Sequence, residues 1–267
     1  KLSEILSALS EWLSARGDID FILHGGDMID ATTDESIIAA AKAFDRVVSV
    51  YLCLGNHDLT TPDAVERWMT LAPQWFPNGT PDYTIALEDC VLHVAPNQWC
   101  DETFYWHSAQ QPHLSSAQME RLTRELSERT DVPHILLTHS PVYGLPVEQT
   151  GLTEAYHAPN VAFTAQIRDM AARHGNLKGV LGAHTHMNMH VNQTGVDFVT
   201  VSALVETPFE FKLFEVTPRR MEMSTLSLRL ALSFGDEYDA ARSFVQGRAM
   251  DRSFSHEFDV GQSDACT

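Results

Sequence analysis

The sequence predicts an α/β fold built on one main domain. Apolar residues spaced as on one face of a helix alternate along the chain with short, continuous apolar runs that are typical of buried strands. No internal repeat or low-complexity linker divides the 267 residues, a length that suits one large domain or two small ones. We therefore expect a single domain over residues 1–235, followed by a polar tail over residues 236–267.

The amino-terminal half begins with an amphipathic helix. Leu2, Ile5 and Leu9 recur at helical spacing, and Gly17 is a typical helix stop. Further along, two apolar runs separated by Glu88 and Asp89 predict a hairpin. The predicted order is helix 2–14, strand 20–24, helix 34–46 capped by Thr33 or Asp34, strand 47–54, helix 62–71, and hairpin strands 82–87 and 90–94.

The carboxy-terminal half becomes rich in predicted strands beyond residue 190. The predicted order is a helix from Ser115 or Ser116 to Glu128, strand 133–137, helix 161–174, strand 180–181, and strands 196–201, 209–216 and 221–230. The segments 72–82, 96–113 and 142–160 are irregular. We expect the aromatic residues of Trp99–His107 to pack against the sheet edge. The open alternative is that this segment and the loop 142–160 cap a site and contact a base or alcohol group of a substrate.

The chain is strongly acidic, with 36 Asp and Glu residues against 18 Lys and Arg residues and a net charge of −18. Such a charge opposes binding to nucleic acid backbones and anionic membranes. We therefore expect a small substrate, no long nucleic acid and no membrane partner, with homo-oligomerisation left open. An anionic substrate would also be repelled unless bound cations supplied positive charge.

Four cysteines, Cys53, Cys90, Cys100 and Cys266, lack the dense spacing of a disulfide framework. This favours a reducing compartment, and we expect a cytoplasmic location. Because the chain begins with Lys1 rather than Met, a removed upstream targeting segment is the open alternative.

Four short polar strings each follow a strand-like run, in the order Gly26-Asp27, Gly55-Asn56-His57-Asp58, Thr138-His139 and Gly182-Ala183-His184-Thr185-His186. Loops at the carboxyl ends of strands converge on one site even when they are far apart in sequence. Asp, Asn and His supply the oxygen and nitrogen ligands that suit divalent metals. Each string alone is more typical of a turn, but the ordered set predicts a metal site.

Two members of this set allow a finer prediction. The carboxylate of Asp27 has two oxygens and can bridge two ions. His184 and His186 are two residues apart, and such residues point the same way in an extended segment. We therefore expect both imidazoles to face one cluster, each on a different ion.

The strings closely resemble the motifs of the calcineurin-like metallophosphoesterase superfamily, which run D-x-H, G-D, G-N-H-[DE], a lone His and G-H-x-H. In the last motif this chain carries Ala183 between Gly182 and His184. The resemblance extends from about residue 18 to about residue 216. It implies a four-layer α-β-β-α sandwich, with two mixed β-sheets flanked by helices. It also implies a cofactor of two metal ions, which can be Mn, Fe, Zn or Co.

The resemblance also assigns roles to individual residues. Asp27 bridges the two ions, Asn56, His139 and His184 complete one site, and His186 serves the other. As catalytic residues, His57 contacts a phosphoryl oxygen or leaving group, and Asp58 holds His57. Asp30 is a further partner near the ligands, with a solvated turn carboxylate as an equally weighted alternative.

The D-x-H motif that opens the family pattern is absent from the sequence. In the family it supplies two ligands to the second ion, from the end of a strand before the first helix. Because the other ligands are retained and residue 1 is not Met, we expect that strand to be missing from this chain rather than lost from the gene.

The implied function is dinuclear-metal-dependent hydrolysis of phosphate esters, in which a metal-bridging hydroxide attacks phosphorus. The G-N-H-D string and the compact size are similar to those of bacterial phosphodiesterases for cyclic nucleotides and other small diesters. We therefore expect a substrate of the cyclic nucleotide or glycerophosphodiester type. The alternatives are a phosphomonoesterase of the same family, a non-catalytic scaffold of the same fold, and a single-metal protein of unrelated chemistry. A scaffold would have no reason to keep His57.

Overall fold

The fold is known from a computed structural model, which describes residues 2–44, 48–230 and 243–258. Helices in these ranges are α1 (Leu2–Ser14), α2 (Asp34–Phe44), α3 (Ala64–Leu71), α4 (Ser116–Glu128), α5 (Val147–Thr150), α6 (Val161–Arg173) and α7 (Ser243–Gln246). Strands are β1 (Phe21–His24), β2 (Ser49–Leu52), β3 (Tyr83–Ala86), β4 (Val91–Val94), β5 (His134–Leu137), β6 (Leu177–Gly182), β7 (Met189–Gln193), β8 (Val196–Thr200), β9 (Glu210–Thr217), β10 (Arg220–Ser227) and β11 (Ser253–Glu257).

The strands form three sheets. The largest has six strands in the order β3-β4-β5-β6-β8-β7, with β4, β5, β6 and β8 parallel and the two edge strands antiparallel to their neighbours. A second sheet pairs β1 with β2 in parallel, and a third joins β9, β10 and β11 in antiparallel order. The carboxyl ends of β1, β2, β5 and β6 carry the four polar strings.

Apolar residues cover both faces of the six-stranded sheet. On β5, Ile135 and Leu137 belong to one buried cluster, whereas Leu136 belongs to another, as the alternation of side chains along a strand requires. The first cluster also contains residues of α1, α2, α3, β2 and β10, so it lies between the large sheet and the two small ones. The second joins the large sheet to α4 and α6. The α/β class and the layered sandwich are confirmed, with the second expected sheet present as two short ones.

The predicted hairpin and the fourth helix are confirmed in detail. Tyr83 pairs with Val94 and Ala86 with Val91 across the antiparallel strands. α4 begins at a capping box, because the Ser115 hydroxyl accepts from the backbone N–H of Gln118 and the Gln118 side chain accepts from the backbone N–H of Ser115. The predicted helix 34–46 is described up to Phe44, and the predicted strand 47–54 ends earlier, at Leu52. Residues 45–47 lie outside the described ranges, as does Cys266.

The predicted polar tail contains two elements that the sequence pattern did not indicate, both within residues 243–258. These residues form α7, a 3₁₀ turn at Ala249–Asp251, and β11, which pairs with β10 so that His256 lies opposite Met221. Polar residues are typical of an exposed tail, but here the polar groups are paired in the interior. Asp251, fully buried, accepts from the side chain of Arg248 and the backbone N–H of His190. The rest of the predicted tail lies outside the described residues.

Strand β7 was also missed, for a similar reason. Its residues are mostly polar, so the strand does not read as an apolar run. In the structure it is the edge of the large sheet, and Nε2 of His190 lies 2.8 Å from Oδ1 of the buried Asp197 on β8.

Candidate metal centre

The loops after β1 and β2 approach each other closely at two glycines. Gly26 has a φ of 107°, in the left-handed region, and a Cβ there would overlap Nδ1 of His139 and the backbone of Gly55. A Cβ on Gly55 would overlap Oδ1 of Asp27. Both positions therefore need glycine, because the two loops and His139 meet with no room for a side chain.

Four of the five predicted ligands converge on one point. Nε2 of His139 lies 3.2 Å from Oδ2 of Asp27, 3.1 Å from Oδ1 of Asn56 and 3.1 Å from Nδ1 of His184. His139 and Asn56 are buried, and Asp27 and His184 are partly buried. The ligand atoms of Asp27, His139 and His184 all lie within 4.8 Å of one another.

The geometry and chemistry of these atoms fit a metal ion. Ligand atoms about 2.1 Å from an ion are about 3.0–3.4 Å apart in octahedral or tetrahedral coordination, which matches the observed separations. Nδ1 of His139 donates to the backbone carbonyl of Gly25 at 2.7 Å, so Nε2 is the nitrogen free to act as ligand. Nε2 then faces one oxygen each of Asp27 and Asn56 and a ring nitrogen of His184, an arrangement that suits a cation.

The surroundings of the cluster lower the pKa values of both Asp27 and His184. Burial opposes ionisation of Asp27, but the charge and hydrogen bond of His139 outweigh it and hold the pKa of Asp27 below its usual value. Burial and then the nearby His139 lower the pKa of His184 to about 3. Asp27 is therefore a carboxylate and His184 a neutral imidazole at neutral pH, the forms in which both side chains bind metals.

His57 and Asp58 lie in a 3₁₀ turn at His57–Leu59, directly after Asn56. The backbone N–H of His57 donates to Oδ1 of Asp27 at 2.9 Å, and its Nδ1 donates to the carbonyl of Asp30 at 2.9 Å. His57 is thus adjacent to the cluster and its ring is held in place. Asp30 contributes through its backbone, and its side chain is exposed.

The expected contact between Asp58 and the His57 ring needs correction. The Asp58 carboxylate accepts from the backbone N–H groups of Gly55 at 2.9 Å and Ile29 at 3.2 Å. Among the described residues, the His57 ring donates its hydrogen bond to the backbone carbonyl of Asp30 instead. Burial, followed by the charge of Asp27, raises the pKa of Asp58 to about 7. Asp58 therefore joins the two loops rather than orienting His57.

His186, the fifth predicted ligand, lies outside the cluster. The segment is not extended, because His184 and His186 have φ values of 56° and 57°, so the rule that alternate residues point the same way does not apply. The His186 side chain is 47% exposed, and its Nδ1 lies 3.2 Å from Oε1 of Glu206. Glu206 carries no motif, and sequence reasoning missed it.

Aromatic side chains surround the cluster. Trp99 is 2% exposed, and its ring centre lies 5.3 Å from that of His184 and 6.1 Å from that of His139. The predicted packing role is confirmed for Trp99. Trp106 is half-buried with its ring centre 5.2 Å from that of His57. His157, which the sequence analysis did not single out, is exposed, with its ring centre 6.3 Å from that of His184.

The sequence matches the calcineurin-like phosphoesterase family over residues 2–188, about two thirds of the chain. The chain belongs to the calcineurin-like phosphoesterase family. All of the clustered residues lie within the matched range, so this phosphoesterase is a phosphoester hydrolase with a donor set that suits the metal dependence of its family.

Solved structures share the fold of this phosphoesterase. A dimetal phosphatase from Danio rerio is similar with a TM-score of 0.64 at 13% identity, over 96% of this chain and 89% of that one. The structure of PhoD is similar with a TM-score of 0.56 at 13% identity, over 94% of this chain and 67% of that one. Among curated proteins, no sequence matches. In the described ranges, every helix is too short or too polar to cross a membrane.

Proposed function

We propose that this phosphoesterase hydrolyses small phosphodiesters, of the cyclic nucleotide or glycerophosphodiester type, with two metal ions chosen from Mn, Fe, Zn and Co. The observation that carries the proposal is the convergence of one carboxylate, one amide and two imidazoles. Atoms of Asp27, Asn56 and His184 each lie 3.1–3.2 Å from Nε2 of His139. Mixed oxygen and nitrogen ligands suit these metals.

The residues have separate tasks in this proposal. Asp27, Asn56, His139 and His184 would hold one ion, and His186 would serve a second. When bound, the ions neutralise phosphoryl oxygens and lower the pKa of a water near phosphorus. The amide N–H of His57 donates to Oδ1 of Asp27, so the carboxylate keeps its orientation.

In this proposal His57 acts on the substrate itself. Because the carbonyl of Asp30 accepts from Nδ1, the other ring nitrogen, Nε2, is left for the substrate. In the protonated ring Nε2 carries a proton, which it donates to a phosphoryl oxygen or to the leaving oxygen. Such proton donation is typically worth about 10²–10⁴ in rate.

Charge supports a small substrate. The net charge of −18 repels long polyanions, whereas a small ester brings few charges into a site where bound cations offset them. We further propose that this protein has no nucleic acid or membrane partner and is located in the cytoplasm.

The test compares two chromogenic substrates, bis-p-nitrophenyl phosphate and p-nitrophenyl phosphate, with the purified protein loaded with Mn²⁺. We expect a higher kcat/KM for the diester. A higher kcat/KM for the monoester would replace the proposal with a phosphomonoesterase. No turnover of either substrate by protein that carries its metal would favour the scaffold alternative.

A further inference from the structure

The loop that carries His184 and His186 ends at Asn188, whose polar groups are all bonded. Its backbone N–H donates to the carbonyl of Val245 at 2.8 Å, and its own carbonyl accepts from Nε2 of Gln149 at 2.8 Å. Its side-chain Oδ1 accepts from the backbone N–H of Ser202 at 3.1 Å, and Nδ2 donates to Oε2 of Glu210 at 2.6 Å. Asn188 is fully buried, so these bonds fix the end of the loop.

Glu210 is in turn held by Arg252 from the carboxy-terminal segment 243–258. The guanidinium donates to both carboxylate oxygens, at 2.6 and 3.1 Å, and Ser227 donates a further bond at 3.2 Å. Glu210 is fully buried and the Arg252 side chain is 14% exposed. A two-pronged arginine–carboxylate pair fixes orientation as well as distance, so the position of Glu210 depends on that segment.

The same segment packs directly on Asn188. Gly247 has a φ of 78°, and a Cβ there would lie 2.9 Å from the backbone oxygen of Asn188 and 2.9 Å from Cβ of Asp251. Glycine is required because the chain turns through the left-handed region against Asn188. The segment therefore contacts the end of the loop through its backbone and, through the Arg252 side chain, holds the carboxylate that Asn188 binds.

The loop needs such support. His184 and His186 both have left-handed backbone conformations, which are costly for residues other than glycine and persist where surrounding contacts enforce them. A metal ligand in such a loop keeps its direction only while the loop is anchored. Segment 243–258, Glu210 and Ser202 all lie beyond residue 188, where the match to the phosphoesterase family ends.

We propose that Asn188, Glu210 and Arg252 are positioning residues, through which the carboxy-terminal segment holds His184 in place to bind metal. The proposal rests on the proposed function, because it assigns these residues to the same metal centre. It gives segment 243–258 a task in ligand binding beyond completing the sheet of β9 and β10.

The test uses Asn188→Ala, Arg252→Met and the milder Arg252→Lys, with His256→Gln as the matched control. His256 lies on β11 and hydrogen-bonds Asp197 of β8, so it secures the same segment without touching Asn188. Mn²⁺ affinity is measured by isothermal titration calorimetry, below the unfolding temperature of every variant. Amide hydrogen exchange of residues 183–187 is measured in the metal-free proteins.

We expect Mn²⁺ binding about tenfold or more weaker in Asn188→Ala and Arg252→Met, as for other residues that orient ligands, and an intermediate loss in Arg252→Lys. Exchange at 183–187 should rise in the same order and stay unchanged in His256→Gln. If the folded Asn188 and Arg252 variants keep wild-type Mn²⁺ affinity and wild-type exchange, the proposal is overturned. An equal loss of Mn²⁺ affinity in His256→Gln would overturn it as well. If the wild type binds none of Mn²⁺, Fe²⁺, Zn²⁺ and Co²⁺, the proposed function fails, and the exchange data alone decide whether these residues position the loop.

Discussion

His139 is the residue that joins the four loops of the candidate metal centre. Its Nδ1 is bonded to the carbonyl of Gly25, in the loop after β1, and its Nε2 faces side chains from the loops after β1, β2 and β6. One imidazole therefore contacts the loops after β1, β2 and β6. A small shift in any of these loops should alter metal binding.

Replacing His57 by Ala should separate catalysis from metal binding. Asp27 is held by the backbone N–H of His57, which Ala retains, so metal content should be unchanged. We expect kcat for the diester to fall by about 10²–10⁴, the usual worth of a proton donor. Elemental analysis and steady-state kinetics measure both, with His107→Ala, at an exposed histidine of the aromatic segment Trp99–His107, as the control. Full activity in His57→Ala would remove His57 from the mechanism.

Gly55→Ala should damage the metal centre without replacing a ligand. The new Cβ would overlap the Asp27 carboxylate and the His139 ring, so one of them must move. We expect Mn²⁺ affinity to fall by about 10–100-fold, the range found when groups around a metal site are changed.

Gly17→Ala is the control for this prediction, because a Cβ at Gly17 meets nothing within 4 Å. Titration of Mn²⁺ into both variants gives the comparison. Equal affinities in Gly55→Ala and the wild type would show that the close approach at Gly55 is irrelevant to the site.

Sequence reasoning found the clustered residues but not all of their directions. Asp27, Asn56, His139 and His184 follow strands, and strand ends fix where they lie. The direction of His186 depends on left-handed backbone angles, which the motif does not reveal. Glu206 and His157 come from irregular segments, where spacing carries no signal about which side chains reach the site. Whether His186 binds metal stays a prediction.

At the scale of elements, β4 and β5 bury two histidines in contact. Nε2 of His93 lies 2.8 Å from Nδ1 of His134, and the other nitrogen of His134 donates to the carbonyl of Arg129 at 2.6 Å. Nδ1 of His93 lies 3.2 Å from a carboxylate oxygen of Glu125 on α4. Both rings are fully buried, so protonating either one is costly in the folded state.

This pair predicts a loss of stability in mild acid. Burial lowers the pKa of His134 from about 6.5 to about 4, so the unfolded chain binds more protons in this window and the free energy of unfolding falls as pH drops. This contribution to the free energy of unfolding is fully present above pH 6.5. It decreases by about 2 kcal/mol between pH 6.5 and 5. Urea unfolding of the metal-free protein at several pH values measures it. His134→Gln should flatten the curve over this range, whereas parallel curves for the two proteins would contradict the assignment.

Helices and the apolar strands were predictable because their periodicity is visible in the sequence. α1 and α4 have apolar residues at helical spacing, and α4 has a capping box. β7 and β11 were not predictable because their polar side chains are paired in the structure with residues of another strand. His190 and His256 both bond to Asp197, a contact that local patterns do not encode.

At the scale of the whole molecule, the fold brings the polar strings together while burying apolar surface on both faces of one large sheet. The core fixes the strand ends, and the close approaches at Gly26 and Gly55 bring their loops into contact. The net charge of −18 makes this arrangement depend on bound cations whenever the substrate is an anion.

The most direct test of the central claim is the rate of bis-p-nitrophenyl phosphate hydrolysis before metal removal, after exhaustive chelation, and after Mn²⁺ is added back. Because Asp27, Asn56, His139 and His184 are assigned to metal binding and the metals to activating the attacking water, we predict that chelation abolishes hydrolysis and that Mn²⁺ restores it. A rate that persists unchanged in the metal-free protein would contradict the account.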